Sequence, residues 1–239
     1  SDKVFLNVDN PHLCEMANER HLQSDPERPY SLVLPYGLDY SGAKVLPSSP
    51  EQPYLRIALK DGGEINTNLV GSYNADNVMA AIAVGMSFGV SFDDACAAIA
   101  AYVPSNNRSQ MTATERNTLI VDAYNANPTS MDAALTNFAN VDAPVKIALL
   151  GDMLELGEDS LAEHVTVINK ALASGLSTIC FVGAEFGKAL EDIQAADNVK
   201  WFANSQDLSD WLTEQNVSGA TVLVKGSRGT RMEKTIQAL

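Results

Sequence analysis

From Thr118 to Pro128 the chain reads Thr-Leu-Ile-Val-Asp-Ala-Tyr-Asn-Ala-Asn-Pro. The apolar run 118–121 delivers an acid (Asp122), an aromatic (Tyr124) and two amides (Asn125 and Asn127) to one point. Pro128 then opens an Ala-rich helical pattern. Polar groups at a strand end, facing a helix N-terminus, are placed to hold a nucleotide or an anion. The same residue types also make ordinary turns, so on residue type alone both readings stand.

Three further runs carry chemistry. Lys225-Gly226-Ser227-Arg228-Gly229-Thr230-Arg231 combines two glycines, a hydroxyl and three cations after an apolar run. That composition suits a phosphate or a carboxylate, although a flexible loop with solvated charges has the same look. It is not the Gly-x-x-x-x-Gly-Lys-Ser/Thr phosphate loop, which is absent from the chain. Gly151-Asp152-Met153-Leu154-Glu155 places two acids just past a strand, where they can bind an ammonium group or cap a helix. His164 follows in a helical pattern and by itself reads as a surface or internally satisfied histidine. Asn74 and Asn77, three apart at the start of a helical pattern, share a face. Their amides can read an adenine edge, or simply cap the helix.

These groups need elements to position them. Residues 4–8 read as a buried strand and 12–20 as a short helix, with a small antiparallel sheet over roughly 30–70. Its clearest turn is Lys60-Asp61-Gly62-Gly63, since Asp-Gly accepts positive φ. Two helices follow, at 75–88 with Gly89 at its C-terminal end, and from Ser91 to about 103 with Asp94 completing a cap. The polar stretch 105–110 reads as a linker. Beyond it, strands at 118–121, 145–150, 178–182, 200–202 and 221–224 alternate with helical patterns at 129–140, 160–174, 185–195, 206–216 and 231–239. Such alternation requires crossovers, hence a mostly parallel sheet with helices on both faces and a site beyond the C-terminal strand ends.

Composition narrows the function. The 239-residue chain is 46% hydrophobic and 19% charged, enough apolar material for a real core. A net charge of −14 argues against generic nucleic-acid binding and against an anionic membrane surface. No apolar run approaches the roughly 20 residues of a membrane span, and no signal peptide is visible. Cys14, Cys96 and Cys180 are odd in number and far apart, as expected of buried thiols in a reducing compartment.

Taken together, the runs at 71–77, 107–108, 121–130, 149–157 with His164, and 224–234 resemble the Mur ligases, ATP-dependent amide-forming enzymes of bacterial cell-wall synthesis. They are most similar to the type that joins D-alanyl-D-alanine to UDP-N-acetylmuramoyl-tripeptide. The resemblance implies a Rossmann-like C-terminal domain at 108–239, preceded at 1–107 by the second half of the family's central ATPase domain, lacking its phosphate loop. It implies ATP and Mg²⁺ as cofactors, with the Mg²⁺ ligands mostly outside this chain, and a cytoplasmic setting. It assigns Asn74 and Asn77 to the adenine, Arg108 to an ATP phosphate, Asp122 to the ribose hydroxyls, and Tyr124, Asn125 and Asn127 to the nucleotide-side loop. Arg108 and Lys225 become the catalytic cations. Asp152, Glu155, Lys225, Ser227 and Arg228 are expected to face the amino substrate. Tyr73 departs from the family's frequent His, and Ala123 from a frequent second Asp. Nothing matches the UDP-sugar domain, so the chain reads as an inactive piece of a longer ligase. A stand-alone nucleotide- or precursor-binding module is the alternative. A Rossmann dehydrogenase is a weaker one, for no Gly-x-Gly-x-x-Gly follows an early strand.

Overall fold

The computed structural model describes residues 3–22, 32–49, 52–105, 110–193 and 196–239. They form two compact units, dividing between Val103 and Pro104, with the short segments Ser49–Pro53 and Leu69–Gly71 belonging to the second.

In the first unit, β1 (Lys3–Asn7) leads into α1 (Pro11–Glu19), whose N-cap Asn10 accepts hydrogen bonds from the His12 and Leu13 amides. β2 (Leu32–Tyr36) returns parallel to β1, pairing Lys3 with Leu32 through Asn7 with Tyr36. This corrects the sequence expectation, which put the 31–34 run in the antiparallel sheet. Short apolar strands do not declare their partners, and Ser31 itself lies outside the described residues. The antiparallel sheet comprises β3 (Lys44–Val45), β4 (Arg56–Ala58) and β5 (Glu64–Asn66). The β4–β5 turn is the expected Asp61-Gly62, with Gly62 at φ +89 and the Leu59 amide donating to the Gly63 carbonyl at 2.8 Å. A 3₁₀ turn at Ser72–Asn74 opens α2 (Ala75–Ser87), and α3 (Phe92–Ala101) follows. Gly89 adopts φ +92 after α2, and the Ser91 side chain accepts from the Asp94 amide at 3.1 Å, as the capping pattern required.

The second unit is a six-stranded sheet. Its elements are β6 (Gln110–Ala113), β7 (Thr118–Asp122), α4 (Pro128–Ala139), β8 (Lys146–Gly151), α5 (Ser160–Leu172), β9 (Thr178–Val182), α6 (Ala184–Leu190), β10 (Val199–Phe202), α7 (Ser205–Gln215) and β11 (Thr221–Lys225). The strand order is β10-β9-β8-β11-β7-β6, all parallel except the edge strand β6. β6 was not foreseen: Gln110 closes what read as a linker, and the brief Gln-Met-Thr-Ala strand carries little apolar signal. The last helical pattern is a 3₁₀ segment, Met232–Ala238. α6 is shorter than its pattern, and residues 194–195 lie outside the described set.

Strand alternation sorts the core into two layers. Leu119, Val121, Leu149, Cys180, Val222 and Val224 face Leu208 and Leu212 of α7 together with Met232. The intervening Ile120, Leu150, Phe181 and Leu223 are equally buried. They face the α4–α5–α6 layer, where the rings of Phe181 and Phe186 lie 4.7 Å apart. The chain therefore steps from β7 to β10 with helices on one face, then returns over the other face to insert β11 between β8 and β7. Loops leaving β7 and β8 turn one way and the loop leaving β11 turns the other, so the C-terminal end of β11 is the topological switch point of the sheet.

Cys180 lies at 0% exposure, and burial pushes its thiol up to about 12. We therefore expect the native chain at pH 8 to leave this thiol unmodified by Ellman's reagent while the other cysteines react, and to release it only on unfolding. Because the thiol's folded value is raised, its contribution to stability is complete below the unfolded value of roughly 8.5 and falls as pH rises toward 12.

Candidate functional site at the strand ends

Asp122 ends β7 and Lys225 ends β11, and the two are register partners in adjacent parallel strands. Lys225 Nζ lies 2.6 Å from Asp122 Oδ2 and 3.4 Å from the Asn125 carbonyl, which accepts from it. The lysine side chain is 1% exposed and the aspartate 13%. A buried ammonium requires such a partner, because desolvating an unpaired ion costs several kcal/mol. Lys225 is thus committed to an ion pair inside the unit, which alters the expectation of a cation presented to substrate.

The loop after Asp122 is ordered by its own side chains. Asn125 Oδ1 accepts from the Ala126 amide at 2.9 Å. Asn127 forms a capping box on α4: its side chain accepts from the Ser130 amide at 2.8 Å, and Ser130 Oγ accepts from the Asn127 amide at 3.1 Å. Tyr124 is 38% exposed, with the Arg228 guanidinium 5.8 Å from its ring centroid.

Ser227, buried, joins all three loops. Its hydroxyl accepts from the Leu154 amide at 2.9 Å and donates to the Ala126 carbonyl at 3.4 Å, while its own amide donates to the Asp152 carbonyl at 3.1 Å. Gly151 and Gly226 permit this convergence, since a Cβ at either would collide with Thr230 and Met232.

Asp152 turns inward. Its carboxylate accepts from the Glu185 and Phe186 amides at 3.0 and 2.9 Å, capping α6. Gly183, at φ +115, leaves the space that a Cβ would take from that carboxylate. Of the two acids in this loop, Glu155 is the exposed one. His164 is fully buried: its Nε2 faces the Met153 amide at 3.1 Å and its Nδ1 the Ser160 carbonyl at 2.7 Å. This is the internally satisfied histidine that its helical position suggested. Glu185 sits beside it, with its carboxyl held below the usual range first by the hydrogen bond from Lys188 and then by that from Ser160.

In the first unit, Asn77 Nδ2 donates to Asn74 Oδ1 at 3.3 Å, and Asn74 makes no side-chain cap on α2. Arg108 lies outside the described residues. The second unit therefore separates into an exposed rim (Tyr124, Asn125, Asn127, Glu155 and Arg228) and a buried frame (Lys225, Ser227, Asp152 and His164, with Asp122 between). Sequence reasoning located both sets but missed Ser227 as the bridge and Glu185 as a neighbour. No local spacing marks either, because both are joined to the site by tertiary hydrogen bonds. No group of three or more His, Cys, Asp or Glu side chains among the described residues is arranged to hold a metal ion. Asp122 and Asp152 are both engaged within the protein, so these residues do not fit a Mg²⁺ site. Among the described residues, no helix is long and apolar enough to cross a membrane.

A parallel α/β unit with polar residues gathered at its strand ends defines a class of nucleotide-associated folds, and comparison with known proteins narrows it. The family described as Mur ligase, glutamate ligase domain, matches residues 107–228. UDP-N-acetylmuramoyl-tripeptide–D-alanyl-D-alanine ligase of Treponema pallidum is 34% identical over 74% of this chain and 39% of its own length. The Escherichia coli ligase of the same name is 36% identical over 72% of this chain and 38% of its own. The crystal structure of MurF ligase from Thermotoga maritima in complex with ADP superposes with a TM-score of 0.75 at 17% identity, covering 99% of this chain and 52% of that one. The chain belongs to the Mur ligase family. It spans about two-fifths of the length of these curated relatives.

Lys225→Met leaves Asp122 facing an apolar side chain and should lower stability by about 3 kcal/mol. Adding Asp122→Asn should recover most of that loss. Urea unfolding of the chain and both variants checks this.

Proposed function

We propose that this chain supplies the nucleotide and amine side of an ATP-dependent ligase that joins D-alanyl-D-alanine to UDP-N-acetylmuramoyl-tripeptide. The observation that carries the reading is Asp122, held by Lys225 at the strand ends beside the exposed Tyr124, Asn125 and Arg228, in a chain whose relatives bear the name of that ligase. The ADP complex of the related Thermotoga maritima protein supports a nucleotide as the ligand.

In this reading the tripeptide carboxylate attacks the γ-phosphorus of ATP, ADP leaves, and an acyl phosphate forms. The dipeptide amine then attacks the acyl carbon, gives up a proton, and expels phosphate. Asp122 accepts hydrogen bonds from ribose hydroxyls; its other oxygen is fixed by Lys225, so the geometry is set before the nucleotide arrives. Lys225 acts through Asp122, not on a phosphate directly. Arg228 and Tyr124 form the cationic side of the rim; the roles of Arg108 toward an ATP phosphate and of Asn74 and Asn77 toward the adenine rest on the family resemblance alone. Glu155 receives the ammonium form of the dipeptide, whereas Asp152 and Ser227 shape the loop that carries it. Charge neutralisation at the γ-phosphate, including any from Mg²⁺, falls to residues beyond those described.

The chain contains no Gly-x-x-x-x-Gly-Lys-Ser/Thr loop, and a missing phosphate clamp costs several kcal/mol of transition-state stabilisation. The isolated chain should therefore release no ADP from ATP. A full-length ligase carrying this chain as its second half should release ADP only when both UDP-N-acetylmuramoyl-tripeptide and D-alanyl-D-alanine are present. Turnover by the isolated chain, or turnover indifferent to the dipeptide, contradicts the proposal. In the full-length ligase, Asp122→Asn should raise KM for ATP about ten-fold, the equivalent of one charge-assisted hydrogen bond.

A further inference from the structure

Glu155 adopts φ +71, a left-handed conformation uncommon for a residue with a Cβ. Such a conformation persists only where the surroundings dictate it. Here they do, through three successive backbone amides. The Asp152 amide donates to the Val182 carbonyl at 3.0 Å, the Met153 amide to His164 Nε2 at 3.1 Å, and the Leu154 amide to Ser227 Oγ at 2.9 Å. Met153 is buried, and Leu154 lies against Gly229, where a Cβ would crowd its methyl group. Each anchor comes from a different element: β9, α5 and the loop after β11.

The histidine anchor has a defined chemical form. The Ser160 carbonyl, 2.7 Å away, can only accept, so the ring proton sits on Nδ1. The Met153 amide can only donate, so Nε2 carries a lone pair. The Phe186 ring packs edge-on against the imidazole at 4.6 Å, closing the remaining side. Asp152 Oδ1 is 3.7 Å from Nε2, but both its oxygens already cap α6. A fully buried imidazole thus spends its lone pair on one main-chain amide of the loop that carries an exposed acid.

We propose that His164 is a positioning residue for amine recognition. In its neutral Nδ1-protonated form it fixes the Met153 amide and so holds Glu155 in the left-handed conformation that meets the substrate ammonium group. This rests on the ligase reading above. Neither His164 nor its tautomer was assigned a role by the sequence pattern.

The test has an arm that does not depend on catalysis. In the isolated chain, long-range ¹H–¹⁵N correlation of the histidine rings should show His164 with a protonated Nδ1 and a pyridine-type Nε2; a protonated Nε2 overturns the proposal. In the full-length ligase, His164→Leu should raise KM for the dipeptide about ten-fold and leave KM for ATP unchanged, the cost expected of one unsatisfied buried amide. His164→Gln, whose amide oxygen can replace Nε2, should restore the wild-type KM. Glu155→Gln should raise the same KM, and combining it with His164→Leu should add little, because both remove one interaction. Additive effects, or equal changes in both KM values, overturn the proposal. If the wild-type ligase fails to use the dipeptide at all, the ligase reading fails, while the tautomer measurement still decides whether His164 holds the loop.

Discussion

Lys225 carries a cation into the interior at the end of a central strand, and a buried cation must be matched. The match comes from Asp122 in the neighbouring strand, at the same register level. This pairing aligns the ends of β7 and β11, and the next two residues of the β11 loop complete the arrangement. Gly226 lets the backbone approach Gly151, and Ser227 ties the loops after β7 and β8 to its own. Slip one strand by a residue and Lys225 would point to the opposite face, toward the cluster of Leu208, Leu212 and Met232. The ion pair therefore specifies register as well as satisfying charge.

Around that frame the chemistry divides by depth. Groups that look alike in sequence do different work. Asp152 and Glu155 are three residues apart, yet one caps a helix from inside while the other stands in solvent. Lys225 and Arg228 have the same separation and the same division. In the proposed ligase the exposed side chains of Tyr124, Asn125, Glu155 and Arg228 are the ones that meet a ligand, above the buried frame. The frame contributes by holding that rim in place before a ligand arrives, which lowers the entropy lost on binding.

Much of this was legible in the sequence. The alternation beyond residue 118 announces a parallel sheet, because short apolar runs of three to six residues separated by helical periods allow little else. The strand-end location of Asp122, Asp152 and Lys225 follows directly. What the sequence withheld was partnership. The run 32–36 reads as a strand without revealing that it pairs parallel with β1. Gln110–Ala113 is too short and too polar to stand out, and it gains strand character only from β7 beside it. In loops no period links residue number to direction, so the inward turn of Asp152 and Ser227 depends on tertiary neighbours. Asn127 shows the converse: its place in the site run was visible, and the structure adds a capping box on α4 that the sequence reading did not assign.

The central claim is that the strand-end loops form a preset frame. Amide hydrogen exchange in the unliganded chain tests it most directly. The Met153, Leu154, Glu185 and Phe186 amides, donated to His164, Ser227 and Asp152, should exchange as slowly as the amides of β8. Exchange at the rate of an open surface loop would contradict the account.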